Sequence, residues 1–400
     1  MKILAIESTC DETGAAVVAA ESVDSGVEVL SNVVASSSEM HEKYGGIVPE
    51  VAAREQVKVI TSVVEEAMKV TNRQEIEAIA VSVGPGLIGS LLIGVETAKS
   101  LALAWEKPLI PVNHLRGHLM ANLILGQTAG VNLSPTLPFA GEGAKTRGIA
   151  QLPAIGLLVS GGHTELVRMK SISDWEWIGG TRDDAAGECF DKCARLLDLG
   201  YPGGPAIEKA AMAFHLGGAP SGHHPRSKAT IPSPAKERDR ERFKLPRPMI
   251  HGDSLEMSFS GLKAAVAKVV NSEQLTVNGR DWLARELNEA IVEVLVNKTM
   301  KAVDKYGYEN VWLAGGVAAN KLLRQELDNR CKESGIRLWV PEFKYCTDNA
   351  AMIGAEGIIQ LVSHLEGVPA AGRATIPGGT LPMSNAEDIL SVKAEPGMGI

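Results

Sequence analysis

The chain has 400 residues, 45% of them hydrophobic and 22% charged, and a formal net charge of −8 at pH 7. This length predicts two or three domains with sizeable buried cores, and the composition is typical of a globular chain. The negative balance argues against nonspecific coating of nucleic acid, because neutralising phosphates requires clustered lysine and arginine. Five scattered cysteines, an odd number, indicate reduced thiols rather than a disulfide framework.

The sequence predicts neither a membrane helix nor a secretory signal. No uninterrupted apolar run approaches the roughly 18 residues that a membrane helix needs. Residues 1–7, with the sequence MKILAIE, place an acid too early for the apolar region of a signal peptide. We therefore expect a cytoplasmic protein that makes no contact with a membrane.

The first 125 residues predict one α/β lobe. The expected elements are, in chain order, strands at 2–7, 14–20 and about 27–35, a helix at about 49–70, a strand at 76–83, a helix ending near 104 and a strand at 109–112. Apolar spacing in the first helix and the short apolar runs of the strands support these assignments. Three strands followed by alternating helices and strands are typical of a layered α/β domain.

The same order of elements starts again near residue 152. Its expected elements are strands at 154–159 and 164–169 around a small polar turn, a helix at 282–304, a strand at 311–314, a helix after 320, a strand at 336–340 and a helix from about 347. We therefore predict an α/β fold with two duplicated lobes, 1–125 and 152–366, and a central cleft between them. Such clefts commonly hold the ligand site.

Three stretches of different composition interrupt this plan. Residues 126–151 are rich in glycine, proline and threonine and predict a loop insertion. Residues 215–248 mix proline with basic residues, and we interpret them as a solvated insertion or, alternatively, a nucleic-acid contact. Residues 367–400 form a C-terminal tail that we expect to pack poorly.

Two histidines, His114 and His118, lie four residues apart just after a predicted strand. On a helix this spacing puts both imidazoles on one face, where they can form half of a transition-metal site. The alternative is a pair of surface or hydrogen-bonded histidines. Leu115 argues against a zinc protease of the His-Glu-x-x-His type, which needs its glutamate base at that place. Asp348, which opens the last main helix, is the best-placed third ligand.

Three glycine turns lie beside predicted strand or helix ends, at residues 160–162, 202–205 and 315–320. Glycine lets backbone amides approach a phosphate closely, and a following helix N-terminus favours the anion. Each turn alone is more often structural, but three in a duplicated chain indicate a nucleotide held from both halves. Residues 84–89 match a dinucleotide fingerprint, yet the next strand ends at Asn113 without the required acid, so we prefer a close-packed turn.

A series of motifs, such as AIESTCDETG at 5–14 and LVSGGHTE at 158–165, runs in order through the chain. The other members are residues 41–50, 113–122, 183–192, 201–205, 258–263, 315–320 and 346–351. From Ile3 to about Gly357 the chain resembles the TsaD family of universal tRNA threonylcarbamoyladenosine transferases, once described as glycoproteases. That resemblance implies the duplicated actin-like, sugar-kinase-like (ASKHA) ATPase fold, in agreement with the repeated order of elements.

The resemblance also implies an acyltransferase activity. Members of the family move a threonylcarbamoyl group from threonylcarbamoyl-adenylate to the N6 amine of the adenosine beside the anticodon, in tRNAs reading codons that begin with A. The resemblance then makes His114, His118 and Asp348 the ligands of one metal ion, iron or alternatively zinc. Asp11 and Glu12 would orient the reacting groups from the first phosphate turn.

By the same resemblance, a set of residues from the second half would line the adenylate site. They are Leu158, Val159, Ser160, Gly161, Gly162, Asp191, Gly204 and Asn320. ATP or ADP with magnesium is the alternative ligand of that site. Expected partners are tRNA, a related actin-like subunit of the TsaB type, a small ATPase of the TsaE type and the synthase that supplies the adenylate.

Two alternative functions remain at this point. An actin-like ATPase or small-molecule kinase would share the fold and the glycine turns, but it would need no two-histidine site. A non-enzymatic scaffold is disfavoured because His114, His118 and Asp348 are all present.

The chain departs from the family pattern at Gln56, where many relatives carry histidine, and at Cys189, where alanine is usual.

Overall fold

The computed structural model describes residues 1–37, 40, 47–125, 149–215, 244–272, 277–365 and 383–400. Most of the predicted insertions at 126–151 and 215–248 lie outside the described residues, as does 41–46 of the family motif at 41–50. Residue 366 and the first part of the predicted tail, residues 367–382, also lie outside them.

Two five-stranded sheets form the centre of the molecule. The first contains β1 (Lys2–Glu7), β2 (Glu12–Ala19), β3 (Glu28–Ser36), β4 (Ala78–Gly84) and β5 (Leu109–Asn113), in the order β3-β2-β1-β4-β5. The second contains β6 (Ala154–Val159), β7 (Thr164–Met169), β8 (Trp175–Gly180), β9 (Asn310–Ala314) and β10 (Arg337–Trp339), in the order β10-β9-β6-β7-β8.

The two sheets have the same topology. In each, the first three strands in sequence pair antiparallel, and two further strands add in parallel next to the first. Because strand order and strand direction both repeat, the predicted duplicated α/β fold with two lobes is confirmed.

Ten helices flank these sheets in the described part of the chain. They are α1 (Pro49–Ala67), α2 (Ile88–Trp105), α3 (His114–Met120), α4 (Ala186–Leu196), α5 (Gly203–His215), α6 (Ser260–Ser272), α7 (Val277–Tyr306), α8 (Lys321–Glu333), α9 (Ala350–Leu365) and α10 (Ala386–Ser391). Helix α1 begins at a proline, whose fixed φ suits the first helical position. Its buried residues face the sheet at helical spacing, as the sequence predicted.

Strand β1 is buried on both faces because helices cover both sides of its sheet. Leu4 and Ile6 pack in the core beneath α1 and α2, whereas Ile3 and Ala5 pack in a second core with residues of α3 and α9. This second core also contains Leu158 and Trp312 of the other sheet, so α3 and α9 lie between the two lobes.

Helix α9 follows the last strand of the second lobe but packs on the sheet of the first. The predicted C-terminal lobe, 152–366, included this helix, so its packing differs from that prediction. Close approach explains the difference: an added Cβ at Gly354 would meet Val18, and one at Gly357 would meet Ala80. The chain therefore crosses between the lobes twice, once before β6 and once before α9.

The described part of the C-terminal tail packs tightly on the first lobe. Met383 pairs with Leu109 at the edge of the sheet, and Glu395 N–H donates to the Val83 carbonyl at 2.6 Å. Near the end, the Asn113 side chain donates to the Gly399 carbonyl at 2.7 Å. The expectation that the tail packs poorly is therefore wrong for 383–400, because its backbone completes the hydrogen bonding of an otherwise open strand edge.

One described helix, α2, is long and apolar enough to cross a membrane by length and composition alone. Here Leu91, Val95 and Ala98 are fully buried, and the helix packs against β4 and α1. It also carries Glu96 and Lys99, which pair at 2.9 Å. With these contacts, α2 is a core helix of the first lobe.

Candidate metal centre and reaction site

The two predicted histidines lie on α3, directly after β5. Asn113 ends the strand and caps the helix, since its side-chain oxygen accepts hydrogen bonds from the N–H groups of Leu115 and Arg116. His114 and His118 are both buried on one helix face, with ring centroids 4.7 Å apart. The cap and the four-residue spacing together fix where both imidazoles point.

Asp348, just before α9, completes a group of three potential metal ligands. Its Oδ1 lies 3.1 Å from His118 Nε2 and 3.5 Å from His114 Nε2. The three ligand atoms, one from each residue, all lie within 4.8 Å of one another. The structure therefore brings together the three residues that the sequence predicted, in a group able to hold a single metal ion.

The surroundings fit a metal ion. Both ring nitrogens of His118 are buried, and neither has a hydrogen-bond partner among the described residues. Asp348 Oδ1 lies close to one of them, Nε2. A buried polar atom left unpaired is costly, and a cation between the three side chains would satisfy it. Burial alone would raise the pKa of Asp348, but His114 and His118 lower it to about 2, so the carboxylate is ready as a ligand.

Glu7, at the end of β1, orients His114 and was missed in the sequence. It is fully buried; its Oε2 lies 3.0 Å from His114 Nδ1, and its Oε1 accepts from Thr9 N–H at 2.5 Å. Burial alone would lower the pKa of His114, but Glu7 and Asp348 raise it to about 9. With Nδ1–H directed at Glu7, Nε2 is the nitrogen left for a metal. The signal was the apolar run from Ile3 to Ile6, which ends in an acid.

Asp11 lies in the turn between β1 and β2, as predicted, whereas Glu12 is the first residue of β2, which begins two residues earlier than the sequence indicated. Burial and then the charge of Asp11 raise the pKa of Glu12 to about 7, although a hydrogen bond from Ser36 opposes this. Ser36 donates to Glu12 Oε1 at 3.1 Å, while Oε2 is buried without a partner. Cys10, between the turn's polar residues, adopts a left-handed backbone with φ 54°. Glu12 is thus a carboxyl group that can change protonation near neutral pH.

The second lobe contributes the turn 160–163 after β6. An added Cβ at Gly161, Gly162 or Gly204 would meet no atom of the described residues within 4 Å, so the backbone of these glycines is not crowded by them. The side chains of Leu158 and Val159 are fully buried in the cores, which leaves only their backbone for a ligand.

Comparison with known proteins decides the family. The family model described as TsaD: tRNA N6-adenosine threonylcarbamoyltransferase matches residues 28–355. A Clostridium botulinum (strain 657 / Type Ba4) protein named tRNA N6-adenosine threonylcarbamoyltransferase is 43% identical over 367 residues, covering 90% of this chain and 93% of the relative. The chain belongs to this family.

A Staphylococcus carnosus relative with the same name is 44% identical over 359 residues, covering 89% of this chain and 90% of the relative. Among solved structures, full-length HypF in the phosphate- and nucleotide-bound form aligns over 92% of this chain and 56% of its own, with 12% identity and a TM-score of 0.48. Membership of the TsaD family confirms the predicted transferase class and the predicted actin-like fold.

Two of the residues predicted to line the adenylate site use their side chains within the protein. Asp191 Oδ1 accepts from Gly203 N–H at 2.6 Å, at the start of α5. Asn320 is buried; its oxygen accepts from Leu323 N–H at the start of α8, and its nitrogen donates to Asn288 at 2.8 Å. These contacts position the two glycine turns beside them, and the adenylate role of both residues stays a prediction.

His163 is a second residue that the sequence reasoning missed in this TsaD-family chain. It ends the glycine turn of the second lobe, and its backbone N–H donates to Ser160 Oγ at 3.1 Å. Burial, followed by the charges of His114 and His118, lowers its pKa to about 4. The imidazole is therefore neutral at physiological pH and belongs to the electrostatic surroundings of the metal ligands. Its place directly after Ser-Gly-Gly was the available signal.

Proposed function

We propose that this protein transfers the threonylcarbamoyl group from threonylcarbamoyl-adenylate to the N6 amine of the adenosine beside the anticodon, in tRNAs that read codons beginning with A. The observation that carries the proposal is the convergence of His114, His118 and Asp348 in a chain of the TsaD family. A kinase or ATPase of the same fold would need no such group. Glu7, which holds one ligand in place, supports the same conclusion.

The transfer forms a bond between N6 and the carbamoyl carbon and breaks the bond from that carbon to the adenylate oxygen, which releases AMP and one proton. The mixed anhydride is already activated, so most of the remaining task is to position a weak amine nucleophile. A bound metal ion supplies a point of attachment for the threonyl part and Lewis-acid polarisation of the carbamoyl oxygen. Asp11 orients the reacting groups.

Glu12 is the group suited to take the proton from the amine. Its pKa of about 7 lets it accept a proton at neutral pH, and its buried Oε2 has no hydrogen-bond partner among the described residues. Asp11 is the charge that contributes most to this shift after burial. The proposed transfer therefore assigns proton acceptance to Glu12 and orientation to Asp11.

We propose iron(II) as the native metal, with zinc as the alternative. Two imidazoles and one carboxylate are the ligand set of non-haem iron(II) sites, and the same set also occurs around zinc.

Glycine turns at Gly161, Gly162 and Gly204 leave backbone amides free of Cβ crowding for the adenylate, with ATP or ADP plus magnesium as the alternative ligand.

The proposed partners are tRNA, an actin-like subunit of the TsaB type, a small ATPase of the TsaE type and a synthase that makes the labile adenylate, all in the cytoplasm. Exposed apolar side chains support a protein partner on the first lobe: Val57 on α1 is 58% exposed, and Ile88 on α2 is 50% exposed.

The test supplies synthetic threonylcarbamoyl-adenylate, an unmodified tRNA reading an A-initial codon, and this protein with its bacterial partners. The tRNA is digested, and threonylcarbamoyladenosine is measured by mass, with this chain omitted as the control. His118→Ala should lose metal and product while the protein stays folded. His364→Ala is the matched control, because this exposed histidine lies at the other end of α9, about 20 Å from its start.

No product from the wild-type protein, with the partners shown to be active beside a known relative, would favour the ATPase or scaffold alternative. Full activity of a metal-free His118→Ala variant would instead contradict the role given to the metal ligands.

A further inference from the structure

Gln56, on α1, donates hydrogen bonds to the backbone around Asp11 and Glu12. The side chain is 1% exposed. Its Nε2 lies within hydrogen-bonding distance of three carbonyl oxygens, those of Ser8 at 2.9 Å, Cys10 at 3.3 Å and Glu12 at 3.1 Å. One amide group thus binds three alternate residues of a single turn.

The orientation of this amide follows from its surroundings. Gln56 Oε1 is buried and has no hydrogen-bond partner in the part of the chain that the structure describes. Exchanging the oxygen and the nitrogen would put a carbonyl oxygen against three others, which is repulsive, and would remove the donor that all three now share. The amide nitrogen of Gln56 thus donates to the turn, while the amide oxygen of the same side chain stays without a partner among the described residues. This arrangement indicates that the side chain stabilises the turn.

The turn requires these hydrogen bonds because one of its residues has an uncommon backbone conformation. Cys10 has φ 54°, a left-handed conformation that side-chain-bearing residues rarely adopt. The Cys10 carbonyl also accepts from Ser90 Oγ at 3.1 Å, so α1 and α2 both fix it. Without these donors, the turn could relax to a commoner backbone conformation, and the carboxyl groups of Asp11 and Glu12 would move with it.

We propose that Gln56 is a positioning residue for the transfer reaction, which it serves by holding the backbone from Ser8 to Glu12 in the conformation that presents both carboxyl groups to the substrate. This inference rests on the proposed function, since it concerns the rate of that transfer. Gln56 touches no reacting atom; it acts through the turn.

The test replaces Gln56 with methionine, which keeps the length and volume of the side chain but cannot donate a hydrogen bond. In the transfer assay, Gln56→Met should lower kcat by about 10- to 100-fold, because small misplacements of reacting groups cost that much. The KM for tRNA should stay within about twofold of wild type. The kcat is expressed per bound metal ion, because Thr9 of the same turn contacts His114 and Asp348.

Two further variants separate positioning from general stability. Ser31→Ala removes a hydrogen bond from the strand Glu28–Ser36 to Ala67, at the other end of α1, and should cost melting temperature without changing kcat. Gln56→His, which can donate one ring N–H to the turn, should recover part of the lost kcat. Should Gln56→Met fail to fold, Gln56→Asn, which keeps the amide but is one methylene too short, should show the same fall in kcat.

The proposal is overturned if Gln56→Met, or Gln56→Asn in its place, keeps a kcat within twofold of wild type. It is also overturned if kcat falls only in proportion to lost metal. Because wild-type activity is measured first, a failure of the proposed function itself is seen as absence of product from every variant.

Discussion

Glu7 Oε2 lies 3.0 Å from His114 Nδ1, so a carboxylate at the end of β1 holds the proton of a candidate metal ligand on α3 at Nδ1. The same glutamate accepts the N–H of Thr9 with its other oxygen, at 2.5 Å. Because both oxygens are engaged and the residue is fully buried, its orientation is fixed from two directions. The metal group is thus held by a residue that is not itself a ligand.

We predict that Glu7→Gln weakens metal binding by about 10- to 100-fold. The amide oxygen must stay with Thr9 N–H, so the amide nitrogen would donate to His114 Nδ1 and force the proton onto Nε2, where the metal should bind. Metal affinity is measured by competition with a chelator. Glu77→Gln, an exposed carboxylate on the first lobe, should bind metal like wild type; equal affinity of Glu7→Gln would contradict the tautomer argument.

A buried ion pair joins α3 to α9. Arg116 Nε lies 2.9 Å from Glu356 Oε1, and the guanidinium also stacks on the Trp175 ring of the second lobe at 3.9 Å. Arg116→Met should destabilise the protein by about 3–5 kcal/mol, because it leaves Glu356 buried and unpaired. Denaturant unfolding measures this loss. The double variant Arg116→Met with Glu356→Leu should recover most of it, and no recovery would mean that the cation–aromatic contact dominates.

We predict that protonation of Asp183 in acid lowers the stability of the folded protein. Burial raises the pKa of this carboxyl group, but hydrogen bonds from the Ser258 and Ser260 side chains and from the N–H groups of Phe259 and Ser260 lower it to about 2. Because the folded-state pKa lies below the unfolded value, the stabilisation is complete above pH about 4 and is lost as the pH falls towards 2.

The measurement compares wild type with Asp183→Asn by thermal unfolding across this pH range. Wild type should melt at the higher temperature at pH 7, and the two curves should converge near pH 2, where the carboxyl group is protonated. A difference independent of pH would show that the charge of Asp183 does not matter.

Gly84 lets the C-terminal tail approach β4. A Cβ at this position would overlap the carbonyl oxygen of Glu395, which lies on the backbone and cannot move alone. Gly84→Ala should therefore displace the tail and cost about 1–3 kcal/mol. Limited proteolysis should cut the tail faster, whereas Gly397→Ala, whose Cβ would meet nothing within 4 Å, should resist like wild type.

Much of the fold could be predicted because it rests on local patterns. Apolar runs indicated nine of the ten strands, and the repeated order of elements indicated the duplication that both sheets display. Strand β8 (Trp175–Gly180) was not predicted, because most of its residues are partly exposed and form no apolar run. The lobe to which α9 belongs could not be read in this way. The packing of α9 depends on the close approach of Gly354 and Gly357 to strands that are distant in sequence. A glycine in a helical sequence does not indicate which element packs against it.

The metal group was predictable in part for the same reason. The spacing of His114 and His118 is a local helical signal, but the roles of Glu7 and His163 depend on contacts between elements more than forty residues apart. Gln56 shows the limit most clearly, since its three acceptors are backbone carbonyls that sequence does not distinguish.

The two crossings between the lobes have a consequence for the order in which the site is assembled during synthesis. His114 and His118 leave the ribosome early, whereas Asp348 and α9 follow more than half of the chain later. Until α9 arrives, one face of the first sheet, around Ile3 and Ala5, lacks the longer of the two helices, α3 and α9, that share its core. The nascent first lobe is therefore an incomplete folding unit, and metal capture becomes a late event that marks a finished chain.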